Sequence, residues 1–461
     1  MTSTPEQGPS ACPVRHAGVS ARLFGPDAEQ DSKGLYERLR GGHGAVAPVL
    51  VPGDLPAWLV LGYREIKTVL ASPDRFTSDP RQWRAVLDGQ VGPDHPLAPL
   101  AHYQPMCNFA DGTEHQRLRS AVRSALDSWD SREVGRHVVA AANRLIDRFA
   151  PAGRADLVNE FAEQLPMLVM TQLMGMPEQD GPRLVEACRD LMKGTETAVT
   201  SNEYVLDALR GLVARKKRRL GDDLASWLLT HESRLSDHEV VEHLRLIIVG
   251  ANETTSNLIA DMLEVVLTDP GARAQLRGGQ MALIDALDRV LWDSPPLSVL
   301  PARYAVEDTS LGGQAVRRGD MVLLGLAAGN ADPAIRPDAA KSMAGNRAHL
   351  AFGAGPHACP GLDIGRSIAD TGIDELLRRL PDLWLADEEA ERPRTPTWTS
   401  SHLVGLEVTF APSPPAGDRV SGGAALEGPG PEAPALERAP ARALPQRGSG
   451  WSELVRRMRR Q

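Results

Sequence analysis

Cys359 lies in the stretch His-Leu-Ala-Phe-Gly-Ala-Gly-Pro-His-Ala-Cys-Pro-Gly, residues 349–361. Gly353 and Gly355 permit a tight turn with positive φ, which brings backbone close to a flat ligand. Pro360 suits the first turn of a helix, predicted here over Leu362–Leu380. That places the sulfur at a helix N-terminus, where backbone N–H groups and the helix dipole favour thiolate over thiol. Thiolate is the form in which cysteine binds a metal.

A second chemical feature interrupts an apolar helix. Ser236 and Glu239 form a capping-box pattern, and Leu244, Ile247, Ile248, Ala251 and Thr255 then fall on one face. No breaker follows until Pro270, so about thirty residues at 1.5 Å rise give a helix of roughly 45–50 Å. At its middle stands Gly250-Ala251-Asn252-Glu253-Thr254-Thr255. The small residues let the helix lie close over a ring, and the acid–alcohol pair Glu253 and Thr254 can relay protons. Basic residues complete the set. His115 and Arg119 share a helical face at i, i+4, Arg303 follows Pro301-Ala302, and His357 precedes the cysteine by two residues.

Taken together these motifs resemble the cytochrome P450 family. Phe352, Gly353, Gly355, His357, Cys359 and Gly361 match every fixed position of its haem-binding loop, FGxGxHxCxG. Residues 250–255 are similar to its central-helix pattern, with Ala251 where glycine is usual, and 115–119 to its HxxxR pattern. The resemblance covers roughly residues 20–412. It implies a mainly α fold with small β-sheets, haem b (iron protoporphyrin IX) as cofactor, and Cys359 as the iron ligand. It also implies that His115, Arg119, Arg303 and His357 serve the haem carboxylates, with Phe352, Gly353 and Gly361 lining the cofactor. A thiolate on haem iron assists O–O cleavage, and Glu253 and Thr254 would supply the protons. The implied activity is a monooxygenase that uses O2, a small apolar substrate, and electrons from a ferredoxin and its reductase. The substrate pocket is expected from the loop before His115, the middle helices, and the segments 297–300 and 400–404.

Two departures stand out. Asp111-Gly112 replaces the usual Asp-Pro-Pro ahead of the HxxxR helix. More seriously, the family's E-x-x-R should precede Pro295-Pro296, yet counting back pairs Asp288 with Leu291 or Arg289 with Trp292. Neither register joins an acid to an arginine. The departure resembles a small group of actinobacterial members with a degenerate form of this motif. A buried Trp292 could replace the ion pair by packing. The loss also raises an alternative, a haem-binding regulatory or scaffold protein with little or no catalysis.

The remainder of the chain must position these groups. Strands are expected at Val46–Val51 and Ala57–Leu61 around Pro52-Gly53-Asp54, and helices over Tyr63–Ala71, Asp130–Phe149 and Leu157–Met174. Helices crowd the middle and the few strands sit near the ends, which argues against alternating βαβ units. Residues 1–19 read as a flexible lead-in, 413–450 as a disordered Pro/Ala/Gly-rich linker, and 451–461 as a short basic amphipathic helix able to dock on an acidic partner or an anionic membrane patch. A net charge of -9 disfavours nucleic acid as a partner. The four scattered cysteines contain no C-x-x-C pair, and no apolar run is long enough to span a bilayer, so a cytoplasmic location is expected. No flavin- or nicotinamide-binding motif is evident, so the reductase would be a separate protein.

Overall fold

The long helix organises the molecule. In a computed structural model, which describes residues 21–415 except 93, 94, 96, 194–197, 280, 339 and 340, it runs unbroken over Asp237–Thr268. The Ser236 hydroxyl accepts from the Glu239 N–H at 3.2 Å while the Glu239 carboxylate accepts from the Ser236 N–H at 2.7 Å. That capping box satisfies two of the backbone donors a helix start leaves unpaired. Leu244, Ile248, Ile259, Met262 and Leu263 on this helix are fully buried. They pack into one helical core with Leu118, Val138, Leu145, Leu165, Ile368 and Ile373 from neighbouring helices.

Around this axis stand helices at Gly112–Asp127, Ser131–Phe149, Leu165–Leu173, Leu283–Asp293 and Leu362–Arg379. Residues 157–174, expected as one helix, begin instead with a π-helical turn over Val158–Ala162. The largest sheet has six strands in the order Ala21–Arg22, Val46–Val51, Leu55–Val60, Met321–Leu324, Leu300–Ala305, Phe76–Thr77. Val46–Val51 and Leu55–Val60 pair antiparallel in full register, and the turn between them uses Gly53 and Asp54 at positive φ. Beside the hairpin Thr309–Leu311 with Gln314–Val316, two smaller elements lie near the C-terminal end of the described chain. One is the hairpin Arg394–Pro396 with Ser401–Leu403, and the other is the three-stranded sheet that ties Arg154–Asp156 to Glu407–Thr409 and Trp384–Leu385.

The fold is thus mainly α with small sheets, as the sequence predicts. Among the described residues no helix is long and apolar enough to cross a membrane. The lead-in 1–19 and the basic helix expected at 451–461 lie outside the described residues, as does nearly all of the 413–450 linker.

Candidate functional site

The cysteine loop folds as its glycines dictate. Gly353 and Gly355 take φ of 66° and 68°, and the loop closes on itself where Cys359 N–H donates to the Phe352 carbonyl at 2.8 Å. A Cβ on Gly355 would run into the backbone carbonyl of Leu70, so this position needs glycine for space as well as for angle. The expectation about Pro360 needs correction. Proline sits in the turn ahead of the helix, which begins at Leu362 with Gly361 as its N-cap. Burial pushes the Cys359 thiol up, and the Gly361 N–H and Arg119 only oppose it. The residue still reaches solvent, so a bound metal could claim the sulfur and supply the missing stabilisation of its anion.

Four basic side chains converge beside this loop. Arg119 donates to the Ala358 carbonyl, one residue from the cysteine. The rings of His115 and His357 lie 4.1 Å apart. Nε2 of His357 is 3.0 Å from Asp111 Oδ1, to which the Ser78 hydroxyl donates at 3.1 Å. The Thr77 hydroxyl donates to the other Asp111 oxygen at 2.5 Å. Burial raises the Asp111 carboxyl, but the bonds from His357, Thr77 and Ser78 outweigh it and hold it at about 2. Burial, with the charges of His357 and Arg119, pushes His115 down to about 4.

Arg303 is aimed into this cluster by an irregularity in its strand. Leu300 pairs with Leu324 and Arg303 with Val322, so one extra residue is accommodated between them. Ala302 takes a positive φ of 68° there, a bulge that turns the next side chain at some conformational cost. Arg303 is buried, and among the described residues its guanidinium bonds only the Ala302 carbonyl. Burial pulls its pKa down, with only Asp111 and Tyr304 opposing.

Haem carries two carboxylates and supplies four nitrogen donors of its own, so it needs one protein ligand and cationic anchors. The residues present fit those needs. Nε2 of His115 is buried with no hydrogen-bond partner among the described residues, Arg303 is a buried cation lacking an ion pair there, and Cys359 stands beside them. A Cβ on Gly361 would meet nothing within 4 Å, which suits a backbone on which a flat ring rests.

On the long helix, the Thr254 hydroxyl donates to the Gly250 carbonyl at 2.7 Å. Glu253 turns elsewhere. Its Oε1 lies 3.1 Å from His402 Nε2 and 3.2 Å from the Ser400 hydroxyl. Acid and alcohol are adjacent in sequence but share no hydrogen bond among those found, and the helix shows no break at this point. Ser400 and His402 are site residues that no sequence motif marks. Their one signal is a place in 400–404, a segment expected to border the pocket.

The missing acid–arginine pair turns out to be met from another helix. Asp288 is fully buried in the Leu283–Asp293 helix, and Arg366 donates to it from the helix that follows the cysteine. Leu291 fills the position where the family carries its arginine and is buried with the core. Arg347 comes within 3.8 Å of the other Asp288 oxygen but stays largely exposed. Trp292 is buried as expected, yet it works through a bond, its Nε1 donating to the Asn346 carbonyl at 2.7 Å. Asn330 adds a further tie, donating to the Leu291 carbonyl at 3.0 Å and accepting from the Leu350 N–H at 2.8 Å. Packing by Trp292 therefore supplements an ion pair rather than replacing it.

Comparison with known proteins bears on the family and the overall fold. The family model described as cytochrome P450 matches residues 154–402. The chain is 30% identical over 372 residues to 2-hydroxy-5-methyl-1-naphthoate 7-hydroxylase of Streptomyces carzinostaticus, covering 77% of this chain and 89% of that protein. It is 30% identical over 432 residues to the cytochrome P450 monooxygenase PikC of Streptomyces venezuelae, covering 90% and 99%. Among solved structures, CYP154C4 from Streptomyces sp. W2061 superposes with a TM-score of 0.76 at 28% identity, covering 86% of this chain and 99% of that one.

Proposed function

The chain belongs to the cytochrome P450 family, a family of monooxygenases, and we propose that it binds haem b through Cys359 and hydroxylates a small, largely apolar molecule. The observation that carries the reading is the cluster of buried His115 and Arg303 with half-buried Arg119 and His357, beside the solvent-reachable Cys359. Arg303 in particular is a buried cation with no carboxylate partner among the described residues, which is costly unless a ligand supplies the anion.

In this reading Cys359 Sγ is the protein's ligand to iron, and Arg119, Arg303, His115 and His357 hold the cofactor's carboxylates. Phe352, Gly353 and Gly361 would line the ring. When bound, haem supplies the dioxygen-activating chemistry, and the thiolate enriches the iron in electron density. The protein's own task is proton supply. Thr254 already donates its hydroxyl hydrogen to the Gly250 carbonyl, so its lone pairs face outward as acceptors and can order a water. Glu253 is the neighbouring acid that can deliver a proton to such a water. The hairpin carrying Ser400 and His402 touches the long helix beside Glu253, and in this reading it would border the substrate.

In this reading electrons would come from a ferredoxin and its reductase. The relative whose substrate is 2-hydroxy-5-methyl-1-naphthoate supports a small, largely apolar substrate here. The regulatory alternative rests on the lost acid–arginine motif, and it draws less support once Asp288 is seen to retain an arginine partner in Arg366. The deciding experiment is NADPH consumption by the haem-loaded chain with a ferredoxin and its reductase, read against product across a library of apolar compounds. Tightly coupled product from at least one compound is expected. Consumption that yields only hydrogen peroxide with every compound would overturn the catalytic reading.

A further inference from the structure

His402 is placed to do more than support a hairpin. Its Nδ1 lies 2.8 Å from Asn257 Oδ1, one turn along the long helix from Glu253. Its Nε2 lies 3.1 Å from Glu253 Oε1 and 3.0 Å from the Ser400 hydroxyl. A carboxylate oxygen and a bare imidazole nitrogen are both acceptors, so contact at this distance requires a proton between them. At least one proton lies there, on imidazole Nε2 or on the Glu253 carboxyl, and Nε2–H can donate to Oε1 while Glu253 carries a proton of its own on Oε2. The side chains of His402 and Glu253 are each about a quarter exposed, so the shared proton lies at the edge of solvent and not in a sealed core.

A route outward is also present. The Thr397 hydroxyl lies 3.0 Å from the Ser400 hydroxyl, and Ser400 in turn bonds Glu253 and His402. Thr397 is exposed whereas Ser400 is buried. Hydroxyl groups accept and donate at once, so the series Thr397, Ser400, then Glu253 with His402 can pass a proton inward. The hairpin is held in register against the helix by a second contact. Arg394 donates to Asp261 at 2.6 Å and to Glu264 at 2.7 Å.

We propose that His402 is the proton reservoir that recharges Glu253 during turnover, a positioning and relay role that rests on the reading of Glu253 as the proton-delivering acid. After Glu253 has released its proton toward the reaction, the proton on His402 Nε2 moves to Glu253 Oε1. The neutral imidazole then regains a proton at Nε2 from solvent through Ser400 and Thr397. One proton enters for each proton consumed, and no electron moves in this exchange.

The test uses the haem-loaded full chain and its variants His402→Gln, His402→Ala and Glu253→Gln. Glutamine at 402 keeps an amide donor near Glu253 but cannot ferry a proton. The first readout needs no turnover. The infrared bands lost in Glu253→Gln, located in H2O-minus-D2O difference spectra, should shift in His402→Gln because the shared proton has lost one of its two owners. The second readout is dealkylation of 7-ethoxycoumarin, driven either by O2 with a ferredoxin and reductase or by added hydrogen peroxide, which brings its own protons. We expect both His402 variants to lose about tenfold to a hundredfold of the O2-driven rate and less than about threefold of the peroxide-driven rate. Equal losses by both routes would mean a merely structural role and would overturn the proposal, as would Glu253 bands unchanged in His402→Gln. Failure of the underlying reading looks different: Glu253→Gln would itself keep the wild-type O2-driven rate. Should the wild type turn over by neither route, the infrared result alone decides on the shared proton.

Discussion

Replacing Asp288 by Asn or Arg366 by Leu should each destabilise the protein severely, whereas removing both together should not. Asp288 is fully buried and Arg366 nearly so, and the two bond directly between the Leu283–Asp293 and Leu362–Arg379 helices. Removing one member leaves the other charge uncompensated in the core, which costs about 3–5 kcal/mol. Arg347 cannot take over for Arg366, because it lies 3.8 Å away with its side chain 68% exposed. Unfolding entropy of about 2.1 cal/mol/K per residue, over the roughly 390 described residues, gives about 0.8 kcal/mol/K. A single substitution should therefore lower Tm by about 4–6 °C. The double variant Asp288→Leu with Arg366→Leu should fall by less than about 2 °C, since paired apolar groups can replace a buried ion pair at little net cost. Arg347→Ala, at an exposed charge, should change stability by less than about 1 kcal/mol. Calorimetry of the haem-loaded variants checks all four. Additive losses in the double variant, or single variants indistinguishable from wild type, would refute the view that this pair stands in for the family's lock.

Two glycines of the cysteine loop should behave oppositely. Gly355→Ala combines a φ of 68° with a clash on the Leu70 backbone, so thermal unfolding should show a loss of at least about 2 kcal/mol. Gly361→Ala meets no protein atom within 4 Å and should leave the apoprotein's stability unchanged while lowering haem uptake in a titration. Acid should destabilise the apoprotein through His349, which burial pushes down to about 4 against the pull of Asp288. The folded pKa lies below the unfolded value of about 6.5, so the unfolded chain binds the extra proton. Stability from this group is complete above about 6.5 and is lost as pH falls toward 4. His349→Gln should flatten that part of a denaturation curve measured from pH 7 to pH 4, and an unchanged slope would count against it. Ala302→Gly should relieve the positive φ at the bulge and raise stability by about 0.5–1 kcal/mol, measurable by urea unfolding.

How much of the molecule is legible in the sequence depends on how local each signal is. The capping box at Ser236 and Glu239 and the apolar spacing behind it place the long helix to within a residue or two of its observed ends. Glycine spacing likewise marks the loop at Cys359, because φ > 0 is a property of single residues. The acid–arginine lock is hidden for the opposite reason. A motif search looks for arginine three residues after the acid, but the bond needs only a guanidinium in space, and Arg366 arrives from a helix 78 residues later in the chain. Its position two turns beyond Cys359, on the helix expected over Leu362–Leu380, is the available clue. The bulge at Ala302 leaves no trace in composition, since alanine rarely takes positive φ. His402 is equally silent because a lone histidine in a strand carries no spacing pattern, and only the hairpin's contact with the long helix gives it Glu253 as a partner.

Ligation of haem iron by the sulfur of Cys359 is the claim on which every other role depends. The direct measurement is the absorption spectrum of the haem-reconstituted full chain, reduced with dithionite and exposed to carbon monoxide, beside the variant Cys359→Ser. The wild type should show a red-shifted thiolate-type Soret band and the variant should lose it, with both proteins folded by circular dichroism. A wild-type spectrum lacking that band in well-folded, haem-loaded protein, or the same band persisting in Cys359→Ser, would contradict thiolate ligation at this site.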